Sequence, residues 1–257
     1  MEDAKVVTKE HILVVVPSGD GWITTSLGLF FADCAKKGYD ASYPFRFSMG
    51  TIDKCRGYAN VRNHGVKAFL ASPCDRLWFI DADTIMPEDI FELPKVDGDI
   101  VTLPYPFVGT MAPAICNYAD VNDFSKGVKD IEFGADMVAD VNGTGMGCTL
   151  IRRSVLSDLR MRYKSTYETP DGKLGDLAQE PDEAPAIFRY WMKPNGQTLI
   201  GEDFDFCIRA KRLGYSIKVR LKSQCGHYKT VDLRKAWETV EAQLNNKRKD
   251  TKVYVLA

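Results

Sequence analysis

Two aspartates two positions apart close an apolar run in this chain, Leu77-Trp78-Phe79-Ile80-Asp81-Ala82-Asp83. Four consecutive apolar residues read as a buried strand, and open α/β sheets bind ligands at the carboxyl ends of their strands. Two hard oxygen donors at such a point can share Mg²⁺ or Mn²⁺, whose remaining positions take phosphate oxygens. A cation there acts as a Lewis acid toward a departing diphosphate. An aspartate after a strand also simply opens a turn, so the pair acquires meaning only with partners.

Three further segments are candidates. Gly201-Glu202-Asp203 opens a helical pattern running through Phe204 to Arg212. Acidic residues there serve capping and the helix dipole, or aim a carboxylate into a cleft as a general base. His227 stands in Cys225-Gly226-His227-Tyr228, after a predicted strand, where a neutral imidazole would complete a carboxylate/His site. Val141-Asn142-Gly143-Thr144-Gly145-Met146-Gly147 leads into a strand; its glycines permit close backbone approach to a ligand or form a flexible turn. A strand follows them where a dinucleotide fingerprint needs a helix, and the P-loop pattern is absent.

The elements that must position these residues alternate. His11–Val16 reads as a strand, and apolar residues at Ile23, Leu27, Phe30, Phe31 and Cys34 mark a helix that stops at Gly38. An extended run is expected over Asp40–Phe47, then a helix from Asp53 as N-cap to Ser72-Pro73. Strands follow at Leu77–Ile80, Ile100–Leu103, Pro113–Asn117, Val128–Phe133, Cys148–Ile151 and Ser216–Leu221, with a helix from Arg153 to Met161. Alternating strands and helices predict an α/β fold with a mostly parallel central sheet and helices on both faces. Residues 163–198 are rich in Pro, Gly and acidic or amide residues with weak periodicity, interrupted by Ile187-Phe188-Arg189-Tyr190-Trp191. A spacer this long inside a compact domain is functional or disordered.

The order of these pieces resembles the GT-A fold glycosyltransferases, particularly family-2-like enzymes of bacteria and their phages. The resemblance spans Ile12 to Tyr228. It runs through Pro17, Ala59-Asn60-Val61-Arg62-Asn63, Asp81-Ala82-Asp83 with Met86-Pro87, Gly143 to Arg153, Gly201 to Cys207, Gly214-Tyr215 and Gly226-His227. It implies a single Rossmann-like GT-A domain: a nucleotide-sugar-binding half (11–110), an acceptor and catalytic half (111–230) with the variable loop 163–198, and a basic extension (231–257). It also implies Asp81, Asp83 and His227 as ligands of Mn²⁺ or Mg²⁺. Pro17, Ser18, Arg62, Asn63, Asp81, Gly143, Thr144 and Gly145 would line the donor pocket. Asp203 would be the base that deprotonates an acceptor hydroxyl, with Glu202 next in line. The acceptor would be a glycan, a lipid-linked sugar or a hydroxymethylated nucleic-acid base. A sugar-phosphate nucleotidyltransferase is the nearest rival, but such enzymes carry a Lys/Arg-bearing glycine loop after the first strand, and Pro17–Gly21 has neither. A catalytically inactive carbohydrate- or nucleic-acid-binding domain is the non-enzymatic alternative. A glycoside hydrolase would need two carboxylates flanking the bond and no metal.

Composition sets the frame. The 257 residues carry 34 Lys/Arg against 35 Asp/Glu, so the whole molecule has no bias toward polyanions. The charge is uneven: Phe206–Ala257 holds thirteen Lys/Arg and four Asp/Glu, a surplus that suits phosphate or a solvated tail. Seven cysteines without a CxxC pair fit buried or reduced thiols better than a disulfide framework. Met1-Glu2-Asp3-Ala4-Lys5 lacks the order of a signal peptide, and no apolar run approaches ~20 residues, so a soluble cytoplasmic protein is expected.

Overall fold

The computed structural model describes residues 9–18, 22–52, 57–106, 113–123, 126–134, 136–162, 166–168, 174–176, 187–192 and 198–227. All of them lie in the first of two units of the chain, Met1–His227; the basic extension falls in the second, Tyr228–Ala257, outside the described residues. In chain order the elements are β1 (Glu10–Pro17), α1 (Thr25–Tyr39), β2 (Phe45–Ile52), α2 (Tyr58–Ala71), β3 (Arg76–Ile80) and β4 (Thr84–Ile85). A 3-10 turn at Ile90–Lys95 leads to β5 (Ile100–Thr102), β6 (Ile115–Cys116), β7 (Val138–Asp140), β8 (Gly143–Thr144), β9 (Cys148–Arg152) and α3 (Arg153–Arg162). Then come β10 (Thr166–Glu168), β11 (Leu174–Asp176), β12 (Trp191–Met192), β13 (Thr198–Ile200), α4 (Glu202–Arg212), β14 (Ile217–Arg220) and β15 (Gly226–His227).

Seven strands form the central sheet in the order β2-β1-β3-β9-β5-β14-β7. β2, β1, β3, β5 and β14 run one way, while β9, wedged between β3 and β5, and β7 at the edge run against them. The arrangement is the expected mostly parallel α/β sheet, with helices on both faces. β1 and β3 alternate strictly between its faces. Ile12, Val14, Val16, Trp78 and Ile80 pack with Leu27, Phe30 and Cys34 of α1 and with Ile90, Phe91 and Leu93 of the 3-10 turn. Val15, Leu77 and Phe79 face the other way, against Val66 and Phe69 of α2, Leu156 and Leu159 of α3 and Phe206 of α4. Burial on both faces explains why Leu77–Ile80 is apolar without alternation, and each such side chain contributes about 1.5–3 kcal/mol.

Local chemistry sets the boundaries. Thr24 caps α1, its hydroxyl accepting from the Leu27 N–H, and the same hydroxyl donates to the Thr84 carbonyl, tying the helix start to the turn after β3. α4 ends before Gly214, whose φ of 89° suits a residue without a Cβ. α2 begins at Tyr58 behind Gly57, φ 82°, rather than at Asp53, which lies outside the described residues. β2 is displaced toward the C-terminus of the expected Asp40–Phe47 run because the Asp40 carboxylate accepts from the Ser42 N–H and hydroxyl, making 40–43 a turn. The strand expected over Val128–Phe133 is absent: only an isolated bridge joins Tyr118 to Val128, and Val128 and Phe133 are exposed, Ile131 alone of its apolar residues packing against the core. Of the 163–198 spacer, Ile187 and Phe188 are each 1% exposed, so this island belongs to the core.

Candidate functional site

The carboxyl ends of β1 and β3 bring Pro17, Ser18 and Asp81 to one edge of the sheet, because Val15 pairs with Phe79 in register. Ser18 is 1% exposed; its N–H bonds the Ile52 carbonyl and its hydroxyl the Trp22 carbonyl. Beyond Ile80 the chain turns at once. The Asp81 N–H donates to the Gly147 carbonyl and the Thr84 N–H to the Asp81 carbonyl, so Asp81-Ala82-Asp83 is a braced turn at the mouth of the sheet. β4 then pairs antiparallel with β15, setting His227 opposite Thr84. The His227 backbone therefore lies across from the residue after Asp83; its side chain is outside the described residues.

Beneath this turn lies Arg62. It sits on the inner face of α2, 3% exposed, with Nη2 3.3 Å from Asp81 Oδ1 and Nε 3.8 Å from Glu202 Oε1. Its Nη1 donates to the Met146 carbonyl at 3.3 Å, and the guanidinium stands over the Phe79 ring. Its Nε finds no hydrogen bond among the described residues. Burial works against this cation's charge, but Asp81, Asp203, Tyr105 and Glu202 outweigh it and hold it firmly protonated. The guanidinium thus joins the strand-end carboxylate to the acidic start of α4.

That start carries two neighbouring carboxyls in different settings. Asp203 Oδ2 accepts from the Met146 N–H at 3.3 Å, so one buried residue, Met146, donates to Asp203 through its N–H and accepts from Arg62 through its carbonyl. Glu202 is 6% exposed. Burial first, then the Asp203 charge, push its pKa from 4.5 up to about 7, against the opposing pull of Arg62. One member of the pair is therefore poised to hold a proton near neutrality.

The glycine run has a different role from an open turn. None of its glycines has a positive φ. A Cβ on Gly147 would lie 2.7 Å from Cε1 of Tyr105, one on Gly145 would strike the Tyr105 hydroxyl, and one on Gly143 would lie 2.6 Å from the Phe204 ring. Two aromatic side chains lie close against this stretch of backbone, and only glycine leaves room for them. Gly143 and Thr144 form β8, paired with β6, and Thr144 is 1% exposed. Asn63 is likewise engaged inside the protein: its amide donates to the Phe188 carbonyl and accepts from the Phe188 N–H, both at 2.8 Å. It positions the 187–190 island.

Two aromatic residues of the site escaped the sequence reading. Tyr105, three residues past β5, lies among Asp81, Asp203 and Arg62; burial and the two carboxylates push its phenol pKa well up. Tyr190 hydrogen-bonds Glu202 and the backbone of Ala59. Both follow strand or loop segments without a motif of their own. The one available signal was position after a parallel strand for Tyr105, and an aromatic island in a polar spacer for Tyr190.

Among the described residues no three His, Cys, Asp or Glu side chains converge as a ready metal cage. The donor chemistry of the strand-end turn nonetheless fits a hard divalent cation: the carboxylates of Asp81 and Asp83, with the His227 backbone paired beside them.

No protein-family model matches the chain, and no curated protein matches it in sequence. Solved structures do match its fold. A197 from STIV aligns over 86% of this chain and 86% of its own, at 16% identity and a TM-score of 0.50. GalNAc-T7, solved with UDP, GalNAc and Mn²⁺, aligns over 87% of this chain and 45% of its own, at 12% identity and a TM-score of 0.45. TarS from S. aureus, solved with UDP-GlcNAc, aligns over 86% and 59%, at 12% identity and a TM-score of 0.40. A nucleoside-diphosphate-sugar pyrophosphorylase from Vibrio cholerae RC9 aligns over 82% and 72%, at 12% identity and a TM-score of 0.33. At 16% identity the likeness to A197 is one of fold alone. No helix among the described residues is long and apolar enough to cross a membrane.

Proposed function

We propose that this chain is a metal-dependent glycosyltransferase that moves a sugar from a nucleotide-sugar donor to an acceptor hydroxyl. One observation carries the reading: a strand-end Asp-x-Asp turn and a helix-start Glu-Asp pair, distant in sequence, are joined through one buried arginine. A binding module has no evident need of that linkage. Asp81, Asp83 and His227 would hold Mn²⁺ or Mg²⁺, which supplies Lewis-acid stabilisation of the diphosphate oxygens. Pro17 and Ser18, at the end of β1, border the nucleoside side of the cleft. Asp203, fixed by the Met146 N–H, takes the proton of the acceptor hydroxyl. The acceptor oxygen then bonds the anomeric carbon as the bond to the diphosphate oxygen breaks, and the nucleoside diphosphate leaves with that electron pair. Arg62 keeps Asp81 and the α4 start together while the acceptor proton is accommodated. Glu202, buried and tending toward its protonated form, is less suited to be the base than Asp203. A nucleotidyltransferase is disfavoured by the absence of Lys or Arg from Pro17 to Gly21.

A thermal-shift series with UDP-, GDP-, dTDP- and CMP-sugars, each with and without Mn²⁺, tests this. A ligand that binds only the native state raises the melting temperature, so one nucleotide class should stabilise the protein, and only with metal. A shift equal in EDTA removes the metal from the reading, and no shift with any donor removes the transferase itself.

A further inference from the structure

Residues 187–190 lie in a spacer with no sequence pattern, yet they are anchored from four sides. Asn63 holds the Phe188 backbone through two hydrogen bonds of 2.8 Å. Arg209, 0% exposed, donates to the Ile187 carbonyl and to Asp205, itself 0% exposed. Arg189 Nε reaches the same Asp205 carboxylate at 3.3 Å. The Phe188 ring stacks on Phe206 with centroids 4.7 Å apart and meets Phe79 edge-on. Burying charges and ordering a loop both oppose folding, so a segment fixed this heavily is fixed for a purpose beyond closing the spacer.

What the anchoring delivers is Tyr190. Its hydroxyl bonds Glu202 and the Ala59 backbone, one of the N–H groups that the first turn of α2 leaves without a helical partner. The hydroxyl is therefore held between the starts of α2 and α4. Tyr190 remains 37% exposed as a residue, and Tyr58, next to Ala59, is 66% exposed. An aromatic ring presented to solvent beside carboxylates is the chemistry that recognises a sugar: the ring takes the C–H face of a pyranose, and the carboxylates accept its hydroxyls. Asp81, Asp203 and Glu202 outnumber Arg62, around which they gather, which disfavours a polyanion at the same place.

We propose that Ile187–Tyr190 is the acceptor-recognition element, that Tyr190 contacts the acceptor, and that the acceptor is a neutral sugar presenting its hydroxyl to Asp203. The inference rests on the glycosyltransferase reading. The test uses the full chain and whichever donor stabilises it, with p-nitrophenyl glycosides of glucose, galactose, mannose and N-acetylglucosamine as acceptors. An oligonucleotide containing hydroxymethylcytosine serves as the polyanionic alternative. Tyr190→Ala should raise the acceptor KM at least tenfold while Mn²⁺-dependent donor affinity stays within twofold. Tyr190→Phe keeps the ring, so its acceptor KM should stay within threefold of wild type while kcat falls as Glu202 loses its partner. An unchanged acceptor KM in Tyr190→Ala, an equal loss of donor affinity, or transfer to no glycoside overturns the inference with the transferase reading intact. Absence of donor binding by the wild type overturns both.

Discussion

Replacing Glu202 by glutamine tests the electrostatics of the acid cluster directly. The carboxyl is 6% exposed, and burial with the Asp203 charge raises its pKa from 4.5 to about 7. A folded-state value above the unfolded one means that the folded protein binds the proton more tightly. The stability linked to this group is therefore fully present below about 4.5 and is lost as pH rises through about 7. At about 1.4 kcal/mol per pH unit between the two values, the loss is on the order of 3 kcal/mol. Glutamine imitates the protonated acid and does not titrate. Variant and wild type should unfold at similar urea midpoints at pH 5. At pH 8.5 the variant should be the more stable by roughly 2–3 kcal/mol, a midpoint displacement of about 1 M at ordinary denaturant sensitivities. Comparing the two proteins at each pH cancels the other titrating groups. A variant no more stable than wild type at pH 8.5, or a difference that does not change with pH, would refute the argument that Glu202 is held near its protonation point.

Asp83→Ala should abolish the Mn²⁺-dependent part of donor binding, read as loss of the metal-dependent thermal shift; retention of that shift removes Asp83 from the metal site. Asp203→Asn should keep donor affinity and lower kcat at least a hundredfold, within the range by which general bases contribute; wild-type turnover would move the role to Glu202. Gly147→Ala should destabilise by about 1–3 kcal/mol through overpacking, since its Cβ would lie 2.7 Å from the Tyr105 ring. Adding Tyr105→Ala should recover part of that loss in thermal melts, and the absence of any recovery would show that the ring is not what excludes a Cβ there.

Where periodicity met burial, the sequence was a good guide. β3 had to be an apolar run because both of its faces are covered, and α1 shows the stripe that one-sided packing requires. The strand-end position of Asp81 and the helix-start position of Glu202 and Asp203 were legible for the same reason, as carboxylates placed where regular elements stop. Composition and spacing thus determined the α/β class and which acids stand at element ends. The rest depended on pairings between residues far apart in the chain. β9 enters antiparallel between β3 and β5, a choice made by neighbouring strands and invisible in Cys148–Arg152 itself. Whether Val128–Phe133 became a strand turned on the availability of a partner. Arg62 and Asn63 are adjacent on α2, yet the fold spends one on the acid cluster and the other on Phe188. Glycines whose sequence suited either ligand approach or a turn leave room for the Tyr105 and Phe204 rings, contacts that the run itself does not reveal. Hydrogen bonds, ion pairs and ring contacts act over a few ångströms, so their partners are fixed only once the chain has folded; the sequence supplied the groups, and the tertiary structure decided which of them meet.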